Sequence, residues 1–151
     1  MKKFLAILSV FIFFSTGYCT TSISDYEQAK RAYESRDFHT ALEYYNIVIH
    51  KEENNIDAYC GKGKTQIELK QYSEAIKTFT KVIELEPNNI DGYMGRAIAY
   101  AKKSNPDHVK AKADLDQVIL IDPKNYEAFE TRAMVNFELK DRENAYIDIE
   151  E

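Results

Sequence analysis

AIKTFTKVIELEPNN, residues 75–89, reads as one amphipathic helix and its stop, and the chain carries the same passage three times. ALEYYNIVIHKEENN occupies 41–55 and AKADLDQVILIDPKN occupies 111–125, so the copies begin at Ala41, Ala75 and Ala111, spaced by 34 and 36 residues. In the middle copy Ala75, Phe79, Val82 and Ile83 fall at i, i+4, i+7 and i+8, one apolar stripe of a helix. Ala41, Tyr45, Val48, Ile49 and Ala111, Leu115, Val118, Ile119 repeat it. Pro87 and Pro123 end two of the copies, because proline has no amide hydrogen to donate and disfavours helix in the residue before it.

A second helical pattern precedes each copy: DYEQAKRAYESRDF before Ala41, AYCGKGKTQIELKQY before Ala75 and GYMGRAIAYAKKS before Ala111. A fourth, AFETRAMVNFELKDREN, precedes Ala145. Gly and Pro are scarce, at five and three, and no alternating β-branched run occurs, which predicts an all-helical protein. At 44% hydrophobic and 30% charged residues the composition is that of a folded domain.

In period and residue types these units resemble the tetratricopeptide repeat, a helix-turn-helix of 34 residues. The second unit, 56–89, resembles it most, with Tyr59, Gly63, Tyr72, Ala75, Phe79 and Pro87 at the family's aromatic, small, aromatic, Ala, aromatic and Pro positions. The third, 90–125, has Tyr93, Ala97, Tyr100, Ala111, Val118 and Pro123, with Leu115 in place of the aromatic and two extra residues around Ser104–Asp107. The first, about 22–55, keeps Ala29, Phe38, Ala41 and Tyr45 but has Asp25 for the first aromatic and Glu53 for Pro; the fourth, 126–151, keeps Phe129, Ala133 and Ala145 and is incomplete.

The resemblance implies a right-handed superhelical array of antiparallel helix pairs, an α-solenoid of about three and a half to four repeats over residues 20–151. One helix pair cannot bury both its faces, so each copy serves as its neighbour's core, and that core is expected to be continuous. Stacking would line a concave groove with the first helices, the surface on which the family holds peptides and proteins. By the same resemblance the groove would present Tyr26, Lys30 and Tyr33; then Cys60, Gly61, Lys64 and Ile67; then Met94, Gly95 and Ile98; then Glu130, Thr131, Met134 and Phe137. Gly61 and Gly95 would admit a partner's backbone and the methionines would adapt to it. One branch of the family clamps the carboxylates of chaperone tails with Lys, Asn and Arg. Here those positions read Tyr26 and Lys30, Gly61, then Asp91 and Gly95, and the clamp is absent.

Nothing assembles into a catalytic set, and neither a metal site, a cofactor nor a small-molecule substrate is implied. His39, His50 and His108 are scattered. GKGKT, 61–65, lacks the spacing of a phosphate loop. Cys60 reads as a buried, idle thiol, and Asp114 and Asp116, on different sides of one helix, read as surface charge. The net charge of −5 speaks against nucleic acid or an anionic membrane as partner. An unidentified protein or peptide is the expected ligand, and a structural subunit acting through self-association is the alternative.

At the start, Lys2 and Lys3 precede the apolar run FLAILSVFIFF, 4–14, and then the small residues Ser15, Thr16 and Gly17. This is the pattern of a signal peptide within 1–19, cut after Gly17 or after Cys19, and too short to span a bilayer. It predicts an exported protein, periplasmic or secreted if bacterial. Tyr18 before Cys19 disfavours lipid anchoring. At the other end the acids Asp148, Glu150 and Glu151 are expected to face water, while Tyr146 and Ile147 leave apolar surface that predicts a weak homodimer or a partner contact through repeat four.

Overall fold

The structure, a computed structural model, describes residues 24–140 and Asp148. The proposed signal peptide and, apart from Asp148, the second helix of repeat four lie outside the described residues. Among those described, seven α-helices and no strand are present: α1 (Asp25–Glu34), α2 (Phe38–Lys51), α3 (Ile56–Glu68), α4 (Tyr72–Leu85), α5 (Ile90–Lys102), α6 (His108–Ile121) and α7 (Tyr126–Glu138). Each packs against the next, an all-α solenoid of tetratricopeptide type. No helix among the described residues is long and apolar enough to cross a membrane.

Local chemistry sets the helix ends. Asn55, Asn89 and Asn125 start α3, α5 and α7, each side-chain oxygen accepting from the amide three residues on, at 2.8–3.0 Å. The preceding helices stop in a common turn whose amides at Asn55, Asn89 and Asn125 donate to the carbonyls of Glu52, Glu86 and Asp122. The first of these turns forms around Glu53, without proline, so Pro87 and Pro123 reinforce a stop that the asparagine already makes. Within repeats one and two, Arg36 and Lys70 adopt left-handed backbone, and the next amides, Asp37 and Gln71, reach back to the carbonyls of Ala32 and Gln66. Repeat three has no such residue. Its longer loop returns through the Asp107 amide, which donates to the Tyr100 carbonyl.

The apolar stripes are buried: Phe79, Val82, Leu115 and Val118 are fully inaccessible and Tyr45 and Val48 nearly so. The core is segmented where an unbroken one was expected. It forms three clusters, centred on Tyr45, Phe79 and Leu115, and each crosses into the next first helix through Ala58, Ala99 or Ala128.

Two acids read as surface charge are internal. Asp114, 5% exposed, accepts from Arg96 Nε at 2.9 Å and Nη2 at 2.7 Å, while Arg96 Nη1 also donates to Thr80. Arg96 therefore joins α4, α5 and α6. Asp148, expected to face water, is 3% exposed and accepts from Arg132 and from the amide of Asn136, and Arg132 Nη1 donates to Asp116 at 2.6 Å. A guanidinium on a first helix lies above two second helices, so carboxylates there are desolvated and bonded in two-pronged fashion. In repeat two no carboxylate takes that place: Thr78 stands there and donates to Gln66 at 2.7 Å, and burial lowers the pKa of Lys62.

Candidate functional site

First helices touch one another as well as their sequence neighbours, α1 with α3 and α3 with α5, which places them along the inner side of the array. The expected groove residues fall along this side around three cavities. One, of about 220 Å³, is lined by Tyr26, Lys30, Tyr33, Cys60, Gly61 and Lys64 together with Tyr45, Asp57 and Asp91. The next, about 350 Å³, takes in Lys64, Ile67, Met94, Gly95 and Ile98. The third, about 480 Å³, is lined by Ile98, Thr131 and Met134 with Ala101, Pro106, His108 and Val135. Phe137 and Glu130 line none of these but are exposed on the same helix as Met134.

The polar members of the first cavity are largely occupied with one another. Lys30 pairs with Glu27 at 2.7 Å and lies 5.2 Å from the centre of the Tyr26 ring, and Lys64 pairs with Asp91 at 3.0 Å. Tyr26 meets Tyr45 edge-on at 6.1 Å. Cys60 is buried, and burial, with Asp91 nearby, pushes its thiol up to about 11, so it is neutral at physiological pH. Met94 is also buried and packs in the core cluster of α5, α6 and α7.

The two glycines have a different reason from the one expected. A Cβ on Gly61 would lie 2.2 Å from the Tyr45 ring, and one on Gly95 2.2 Å from the Phe79 ring. Their missing side chains make room for the protein's own aromatics. The spacing held this signal, because each glycine follows its aromatic by 16 residues. The third such pair is Leu115 and Thr131, a smaller core residue facing a larger one. Here α5 and α7 meet less extensively than α1 with α3 or α3 with α5, and the 480 Å³ cavity lies between them.

Among the described residues no cluster of His, Cys, Asp or Glu is placed to hold a metal ion. The chemistry of the face is that of contact: aromatic, aliphatic and paired charged groups on a rigid helical frame.

Residues 56–89 match the family model of the tetratricopeptide repeat. No curated protein matches the chain by sequence. Solved structures share the fold. The tetratricopeptide domain of Arabidopsis OM64 is 22% identical with a TM-score of 0.69, over 74% of this chain and 90% of that one. MamA from Desulfovibrio magneticus RS-1, residues 41 to its end, is 18% identical with a TM-score of 0.77, over 83% and 70%. The first tetratricopeptide domain of Spaghetti (RPAP3), solved bound to the HSP90 peptide SRMEEVD, is 17% identical with a TM-score of 0.73, over 77% and 90%.

Proposed function

We propose that this chain is an exported protein-interaction module that holds a peptide, or an extended segment of a partner protein, along the inner face of its first helices. The carrying observation is the row of three cavities on α1, α3, α5 and α7. Pre-formed concave surfaces on rigid elements bind with little ordering cost. The peptide-bound state of the Spaghetti domain supports the same use of the fold. Binding and release are the whole activity in this reading, and no bond is made or broken.

The test is site-specific photo-cross-linking in the native host. A photoreactive residue at Ile98, on the inner face, is expected to capture a partner, and one at Lys77, exposed on α4, is not. Capture only from Lys77 would overturn the groove reading. Export rests on Lys2, Lys3 and the run 4–14. Mass spectrometry of the native protein is expected to show a new N-terminus after Gly17 or Cys19, and an intact Met1 would remove cleavage from the reading.

A second reading, a structural or accessory subunit that self-associates through its repeat-four end, has its own observation. Leu120 is 74% exposed and Tyr126 68% exposed, on neighbouring helices of that end. Sedimentation over a wide concentration range, with Leu120→Lys as comparison, separates the two: a monomer at all concentrations excludes self-association.

A further inference from the structure

We infer that the gap between α5 and α7 is the part of the groove that selects the ligand, and that it takes a basic, apolar segment: a large apolar side chain in the cavity, with Lys or Arg on either side of it. This rests on the groove reading above and adds the chemistry of the ligand.

The apolar half of the argument is the cavity itself. It is walled by Ile98, Ala101, Pro106, Met134 and Val135, and its 480 Å³ lies within the range of about 300–1,000 Å³ usual for ligand pockets. Met134 and Phe137 beside it are 64% and 63% exposed. Isolated exposed apolar residues are ordinary, but Met134 in the wall of an apolar cavity, with Phe137 three residues on along the same helix, forms a surface that covering would stabilise. His108 lines the same cavity, and its Nδ1 is buried with no hydrogen-bond partner.

The charged half comes from α7. Glu127, Glu130 and Glu138 are exposed on it and form no ion pair with any described residue. Arg132, the one cation of that helix, is used by Asp116 and Asp148. Across the gap α5 supplies a single cation to the cavity rim, Lys102. Glu138 thus lines the cavity with Met134, Glu130 lies one turn before Met134 on the same helix, and Lys102 is the cation of the cavity lining. In the first cavity, by contrast, both lysines are paired, Lys30 with Glu27 and Lys64 with Asp91.

Register strengthens the contrast. Lys30 and Lys64 occupy one repeat position on α1 and α3, and the same position on α5 and α7 holds Ile98 and Met134. The cations that would meet an acidic tail are therefore replaced by apolar side chains in this half. The potential there is complementary to a cation, and complementary rim charge chiefly decides which partners are admitted.

Fluorescence-polarisation titration of the chain tests this, using two labelled synthetic peptides that share a phenylalanine and a leucine and differ only in flanking lysines or flanking glutamates. The lysine peptide is expected to bind about tenfold more tightly or better, since each exposed pair contributes roughly two- to fivefold. Glu130→Lys with Glu138→Lys is expected to abolish that preference, and Met134→Ser to weaken both peptides. Glu84→Lys, exposed on α4, is the control for net charge and is expected to change little. An equal or reversed peptide preference would overturn the inference, as would lysine-peptide binding indifferent to Met134 and Glu130, or no binding of either peptide. Self-association lost in Met134→Ser would assign the cavity to a second copy and overturn it as well. None of these outcomes touches the Ile98 cross-linking result, so failure of the ligand chemistry and failure of the groove reading are told apart.

Discussion

The α3–α5 seam and the α5–α7 seam are built by the same repeat, and a cavity opens along each, yet the first helices pack more extensively at one, closed beneath its cavity by Phe79, than at the other, where the larger cavity of about 480 Å³ lies open between them. In the closed seam Phe79 fills the level between α4 and the first helices, and Gly63 and Gly95 have no Cβ to obstruct its ring. In the open seam Leu115 is the smaller core residue, Thr131 stands where the glycine would be, and Pro106 from the longer loop lines the gap. A repeat can therefore keep its core stripe and still differ in its groove, because the residue facing the large core side chain governs how closely neighbouring first helices approach.

The sharpest way to break the comparison is to empty the closed seam. Phe79→Ala removes a fully buried ring that touches two helices at glycine, where no side chain can move in to fill the void. A loss of about 3–5 kcal/mol is expected by denaturant titration. Leu115→Ala in the open seam is expected to cost less, because fewer atoms leave and α7 is not drawn against α5. Equal losses would mean that the two seams are packed alike.

Exchange at the facing position is the next largest effect, and its sign should differ between seams. Gly95→Ala puts a Cβ 2.2 Å from a Phe79 ring that is already enclosed by Gly63. Overpacking of about 1–3 kcal/mol then equals or exceeds the gain of about 1 kcal/mol in helix propensity, a net loss of up to about 2 kcal/mol. Thr131→Ala meets no such ring, forfeits only a hydroxyl bond to the Glu127 carbonyl, and is expected to stabilise by a few tenths of a kcal/mol. Thermal melts of the two variants moving in the same direction would refute the account of the gap.

These two seams also mark what could be read from the residues alone. Stripe, period and stop signals are local, so the helices and their order were legible, and most of the residues expected on the inner side do line cavities. What was not legible depends on pairs about 16 residues apart that close only when helices stack. Gly61 and Gly95 looked available to a partner because the aromatics that need them belong to the preceding helix. Asp114 and Asp148 looked like surface charge because helical position alone does not show that Arg96 and Arg132 arch over them. The recurrence of Arg at 96 and 132, with Asp at 114 and 148, was the available signal.

Cys60 reports on the closed side without mutation. Its thiol is raised from 9.0 to about 11 by burial, so folding favours the protonated form. A group raised in the folded state contributes stability that is intact below its unfolded value and fades as pH climbs through the folded one. The melting temperature is therefore expected to decline between pH 9 and 11, with a shallower slope in Cys60→Ala. A cysteine placed at Ile98, beside the open seam, should be alkylated at pH 8 far faster than Cys60. Comparable rates would place Cys60 in contact with solvent.

A small effect of either sign is expected at the junction inside each repeat. Lys70 holds φ at 58°, a left-handed conformation that costs an L-residue about 1–2 kcal/mol and glycine almost nothing. Glycine also loses more freedom on folding, about 0.5–1 kcal/mol, which offsets much of that relief. Lys70→Gly is therefore expected to stabilise by about 0.5 kcal/mol, because the bonds to the Ile67 and Gln66 carbonyls survive the exchange. In repeat three the residue that ends α5, Lys103, sits at φ −63°, where glycine relieves nothing. Only the entropic loss remains there, and Lys103→Gly should destabilise by about 0.5–1 kcal/mol. Opposite signs at the two lysines, read as shifts in denaturant midpoint with unchanged slope, would tie the open seam to a junction of different backbone geometry; the same sign would leave Thr131 and Leu115 to account for it alone.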